Sequence, residues 1–164
     1  MQKTKFNKAM SMLISIMMIL MILPQMDYSV YATQSRIENY SRDYSLTGNG
    51  ATDMISVGMA QKGKTKSQLG YTEAWCADFV SDCAILANQT SAIPFNANVG
   101  ALHDAVINKA GGHEVSSPQG GDLVCYYCHS CDRYVHVGLM VDSTNSIQGN
   151  YSSKVTYVTN PQYY

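Results

Sequence analysis

Near residue 118 the hydrophobic period of this chain changes from helical to alternating, and that change limits the folds open to it. Upstream, Ile55, Met59 and Val57 suit a short helix over Ala51–Gln61, with Gly63 as its stop. A second helix starts at Thr72 or Glu73 and runs to about Asn88. Phe79, Val80, Cys83, Ile85, Leu86 and Ala87 give it a broad apolar face. Val99–Ala110 reads as a third, with Leu102, Val106 and Ile107 inward and Gly111-Gly112 at its end. Lys62–Gly70 between the first two reads as a polar loop. Downstream, Asp122–Tyr127, Tyr134–Val141, Ser146–Asn150 and Lys154–Val158 are short alternating runs of β type. Pro118-Gln119-Gly120-Gly121 is a turn before them, and Cys128–Arg133 joins the first two as a hairpin. There are no internal repeats. Helices followed by a run of strands predict an α+β fold, with N-terminal helices packed on an antiparallel sheet.

The first thirty or so residues read differently. Lys3, Lys5 and Lys8 make a basic start, an apolar run spans Ala9–Leu23, and Val30-Tyr31-Ala32 offers a small-residue exit. This is the pattern of a secretory signal peptide, with cleavage expected after Ala32. The run of about fifteen apolar residues is short for a membrane span of about twenty. Removing residues 1–32 takes away three lysines and Asp27, and the net charge moves from −1 to −3. No basic patch remains to suggest nucleic acid. The expected organisation is a signal peptide at 1–32, a flexible lead at 33–50 and one folded domain at 51–164, working as a secreted monomer with no stable membrane span.

Five cysteines remain: Cys76, Cys83, Cys125, Cys128 and Cys131. Export favours disulfides, and an odd count leaves one thiol free. Cys76 is the choice for it. Cys128–Cys131 is one possible pair, closing the hairpin, and Cys83 could meet Cys125 or Cys131. Structural zinc is the weaker alternative, because no second C-x-x-C lies at ribbon spacing.

Trp75-Cys76-Ala77-Asp78-Phe79-Val80 puts Cys76 in the first turn of a helix. Backbone N–H groups and the helix dipole lower a thiol's pKa there. Among the four histidines, His103 reads as a surface residue, His113 as a loop residue and His129 as a hairpin tip or metal ligand. His136 interrupts an apolar strand, Val135-His136-Val137-Gly138. Brought together, Cys76 and His136 would form a thiolate–imidazolium pair, the nucleophile of acyl transfer. A third group should orient the ring. Gln148 and Asn150 are two apart on the next strand and should point the same way.

Trp75-Cys76-Ala77-Asp78-Phe79-Val80-Ser81, Gly121-Asp122-Leu123-Val124, His136-Val137-Gly138 and Gln148-Gly149-Asn150, in that order, resemble the CHAP family of cysteine, histidine-dependent amidohydrolases and peptidases. The resemblance spans about Ile55–Val158. It implies a papain-like fold related to NlpC/P60 domains, cleavage of peptidoglycan amide bonds at the cell wall, and no metal or cofactor. It also implies that Cys76 is the nucleophile, His136 the base and Asn150 the orienting residue. Many members carry glutamate where this chain has Gln148, so the third role falls more heavily on Asn150. The competing expectations are a non-catalytic secreted binding module, in which Cys76 is a packed thiol, and a secreted cysteine peptidase or amidase with a non-wall substrate.

Overall fold

The structure is a computed structural model and describes residues 35–161. The expected signal peptide lies outside the described residues. Four helices are followed by four strands. They are α1 (Gly50–Met59), α2 (Lys66–Leu69), α3 (Cys76–Leu86) and α4 (Val99–Asn108), then β1 (Leu123–Cys128), β2 (Arg133–Met140), β3 (Asn145–Tyr151) and β4 (Lys154–Thr159). The strands form one antiparallel sheet in the order β1-β2-β3-β4. The α+β arrangement expected from the change of period is therefore present.

Local chemistry sets the helix ends. Asn49 caps α1 by accepting from the Thr52 N–H, and Asn98 caps α4 by accepting from the Ala101 N–H. The loop expected over Lys62–Gly70 contains α2 instead. Thr65 and Gln68 form a reciprocal capping box, and Gly70 closes the turn in the left-handed region at φ 80°. Four residues are too few for a hydrophobic period to register, so only the cap carried the signal. Helix α3 starts at Cys76, three or four residues later than its apolar pattern suggests, with Trp75 as its N-cap.

The core lies between the helices and one face of the sheet. Val57 of α1, Leu69 of α2, Phe79 and Val80 of α3, and Val137, Leu139 and Ile147 of the sheet are all fully buried. Helix α4 reaches β2 through His103, whose ring stacks on Tyr134 at 4.3 Å and bonds its hydroxyl at 3.1 Å. His103 is thus a packed connector rather than a plain surface residue. Two glycines set the distance between layers. A Cβ on Gly149 would stand 2.5 Å from the Phe79 Cβ, so only glycine lets α3 sit this close to β3. A Cβ on Gly138 would stand 2.6 Å from the Gln148 Cγ and push that side chain off β2.

Residues 35–47 have almost no regular secondary structure, as expected, yet they are not a loose lead. Tyr40 is buried. The fully buried Gln61 brackets Ser41, accepting from its N–H at 2.7 Å and donating to its carbonyl at 3.1 Å. Lys64 Nζ donates to the Asn39 carbonyl at 2.7 Å, and the Thr47 N–H donates to Asp53 at 2.6 Å. Composition marked this stretch as polar, but its order comes from partners far along the chain. Among the described residues no helix is long and apolar enough to cross a membrane.

Candidate active site

Strands β2 and β3 pair at Leu139↔Ile147 and Met140↔Ser146, and further toward Arg133 β2 has no β3 partner among the described residues. The Met140 N–H donates to the Asp122 carbonyl on the β1 side. Alternation along an antiparallel strand then turns the Val137 N–H the other way, toward the gap where β3 has separated. The Val137 backbone is among the groups that draw the Cys76 thiol pKa down.

No side chain caps α3. The backbone of Ala77 and of Cys76 itself acts in the same direction. These donors draw the thiol pKa down, as the helix start predicts, but they do not prevail. Burial pushes Cys76 up, the Asp78 carboxylate adds to the rise, and the net shift is upward. Cys76 is only 5% exposed. A helix N-terminus lowers a thiol's pKa only where desolvation is the smaller effect, and here desolvation is the larger.

His136 is held from the other side. Its Nε2 lies 2.8 Å from Gln148 Oε1. Gln148 Nε2 donates to Tyr126 Oη at 2.8 Å and to Ser146 Oγ at 2.7 Å. Both amide hydrogens are used in this orientation, and the amide oxygen faces the ring. An amide oxygen only accepts, so Nε2 carries the imidazole hydrogen and Nδ1 keeps its lone pair. Burial pushes the His136 pKa below 6.5, and the bond to Gln148 offsets part of that fall. The thiol is shifted up and the imidazole down, so both favour their neutral forms.

Asn150 does not share the position of Gln148. The β3–β4 register shifts between Gln148 and Tyr151, and Asn150 sits in this bulge at φ 59°. A bulge breaks the alternation that would have aligned the two amides. The ring of His136 bonds Gln148, and Asn150 lines the groove beside it. That open groove, about 770 Å³, runs past Tyr126, Tyr127, Val135, His136, Asn150 and Tyr151. His136 lies on its wall, whereas Cys76 does not. A second register shift, between Tyr126 and Tyr127, shapes the opposite wall. The groove's lining carries no Asp, Glu, Lys or Arg.

Cys128 and Cys131 form a disulfide at the hairpin tip, while Cys76, Cys83 and Cys125 are free. The expectation of one free thiol therefore falls short by two. Cys83 is fully buried under α1, with its sulfur 3.8 Å from where a Gly58 Cβ would stand, and it meets neither Cys125 nor Cys131 in a bond. Burial pushes Cys125 up to about 11. Among the described residues no group of His, Cys, Asp and Glu could hold a metal.

Sequence reading missed that Tyr126 and Ser146 bond Gln148. Ser146 lies two residues before Gln148, so the period of two could have found it. Tyr126 pairs with His136 across β1 and β2, and finding it requires the hairpin register, which the bulge obscures. No protein-family model, curated protein or solved structure matches this chain.

Proposed function

We propose that this chain is a secreted cysteine hydrolase that cleaves amide bonds of peptidoglycan. One observation carries the reading: Gln148 holds His136 through Nε2, which leaves Nδ1 as the ring's free base, while Cys76 opens helix α3. The reading requires that the thiol reach that nitrogen. The order of motifs shared with CHAP hydrolases supplies the substrate class. The groove supports it, because tyrosine faces and neutral hydrogen-bonding groups suit an N-acetylated sugar and an adjoining uncharged amide.

Both groups begin neutral in the proposed reaction. Nδ1 of His136 takes the thiol proton as the sulfur attacks the amide carbonyl carbon. The carbonyl oxygen gains charge and meets the orphan N–H groups of the first turn of α3. The imidazolium then gives its proton to the leaving amine, and the C–N bond breaks. A thioester remains on Cys76. Water, deprotonated by the neutral His136, attacks the thioester, and the free acid departs as the thiol is restored. Gln148 holds the ring through each step. It supplies only an amide dipole to the imidazolium, where a glutamate would supply a charge.

Cys76→Ala and His136→Ala should each abolish release of soluble fragments from purified cell walls while circular dichroism stays unchanged. Full activity in either variant would refute the assignment. Masses of the released fragments identify the bond: a new reducing-sugar lactyl acid marks the sugar–peptide amide, and a new peptide amine without it marks the stem or cross-bridge. The burial of Cys76 favours a second reading, a non-catalytic binding module with a packed thiol. Slow, uniform labelling of Cys76 by a thiol reagent at neutral pH, with no fragments released, would favour that reading.

A further inference from the structure

Arg36 lies outside every motif discussed so far, yet it reaches the helix that carries Cys76. Its Nη2 stands 3.3 Å from Asp78 Oδ1 and its Nε 3.4 Å from Asp82 Oδ2. The guanidinium also lies 5.4 Å over the Tyr71 ring and 5.9 Å over the Phe95 ring. Asp78 is in the first turn of α3, two residues after Cys76, and Asp82 is one turn further on the same face. Both carboxylates are buried, at 2% and 0% exposure. Tyr71 Oη donates to Asp82 Oδ2 at 2.8 Å, and the Tyr40 and Tyr71 hydroxyls share a hydrogen bond of 2.5 Å. Asp78 Oδ2 and Asp82 Oδ1 are buried with no hydrogen-bond partner.

Such a cluster is a poor way to gain stability. Buried ion pairs cost desolvation, and apolar replacements of similar volume often do as well or better. What the cluster does provide is a fixed position. An arginine fork that engages two carboxylates one turn apart defines both the rotation and the height of the helix that bears them. Cys76 is the first residue of that helix.

We infer that Arg36 is a positioning residue for the nucleophile: pinning Asp78 and Asp82 fixes the first turn of α3, the turn that carries Cys76. This rests on Cys76 being the nucleophile. Residues 35–47 then act as a strap that completes the site from outside the sheet and helix layers.

The test is Arg36→Met in the full chain, read in two ways. Hydrogen exchange at the Phe79 amide, which donates to the Trp75 carbonyl at 2.9 Å in the first turn of α3, should accelerate at least about tenfold, while Leu139 in β2 stays protected. The kcat on purified walls should fall about tenfold or more with KM held within about twofold. Arg36→Lys, which keeps the charge but not the fork, should recover part of both effects. Unchanged Phe79 exchange and kcat in folded Arg36→Met overturns the inference. So does a uniform rise in exchange along α3 and β2, which would mean general destabilisation. If Arg36→Met does not fold, Arg36→Met/Asp78→Asn/Asp82→Asn removes the buried charges. That variant should fold with fast Phe79 exchange. Protected Phe79 and full kcat in it, or its failure to fold, also counts against the inference. Should the wild-type chain release nothing from walls, the hydrolase reading falls, and Phe79 exchange still judges Arg36.

Discussion

Two polar clusters, one on the sheet and one on α3, are built on opposite principles. The one on β1, β2 and β3 is neutral: His136, Gln148, Tyr126 and Ser146 hand hydrogen bonds along a chain, and the central amide uses both hydrogens and its oxygen. The one on the strap and α3 is charged: Arg36 faces Asp78 and Asp82, and each carboxylate keeps a buried oxygen with no hydrogen-bond partner. A neutral, satisfied network costs little to bury and selects one tautomer. A charged cluster is costly to bury but directional, and it fixes where a helix lies. The first sets which ring nitrogen of His136 donates, and the second, on the inference above, fixes the helix that carries Cys76.

The largest effect should come from breaking the neutral network at its centre. Gln148→Met keeps the volume but leaves His136 Nε2, Tyr126 and Ser146 without their partner. Wall hydrolysis should drop about a hundredfold, because nothing then selects the Nε2–H tautomer. Gln148→Glu should instead keep activity and move the acid limb of the pH–rate profile upward. A carboxylate stabilises the imidazolium, raises the His136 pKa, and so demands higher pH to free Nδ1. An acid limb that stays in place in Gln148→Glu would sever Gln148 from the base.

A smaller effect separates the clusters by pH. Burial, only partly opposed by Arg36, pushes Asp82 up to about 6 from 3.8. The folded chain therefore binds more protons than the unfolded chain in that window. Stability from Asp82 is present at the acid end and is lost as pH rises through about 6. Asp78 shifts in the same direction. His136 works the other way. Its folded pKa lies below 6.5, the unfolded chain takes the extra proton, and stability is lost as pH falls below that value. Melting temperatures across this range should fall less steeply with rising pH in Asp82→Asn than in the wild-type chain. His136→Gln should remove the opposing trend just under 6.5. Parallel profiles for Asp82→Asn and the wild-type chain would mean that the charged cluster does not titrate with folding.

The smallest effect should be at the hairpin tip. The Cys128–Cys131 bridge closes a loop with a sequence separation of only 3. Its loss in Cys128→Ser/Cys131→Ser should cost about 2 kcal/mol or less, read by denaturant unfolding, and should leave both clusters intact. A loss of fold in that variant would show that the groove wall supports the site more than the comparison allows.

Much of this architecture was legible in the sequence, and the reasons are local. Helix and strand periods follow from which side chains must share a face, so the three longer helices and four strands could be read within a few residues of their ends. The alternating apolar residues around His136 put it on a strand, and the Trp75-Cys76 junction put the thiol at a helix start. The short helix α2 was missed because its signal is a cap and not a period.

The sequence by itself determined the element types, their order, and the thiol and imidazole that would have to meet. Only the tertiary structure decided that Gln148 rather than Asn150 holds the ring, because a bulge in β3 breaks the alternation that residue spacing assumes. It also decided the direction of both pKa shifts, since burial depends on what the rest of the chain piles around a group. And it alone brought Arg36 to carboxylates 42 and 46 residues away, because no local pattern encodes a partner at that distance.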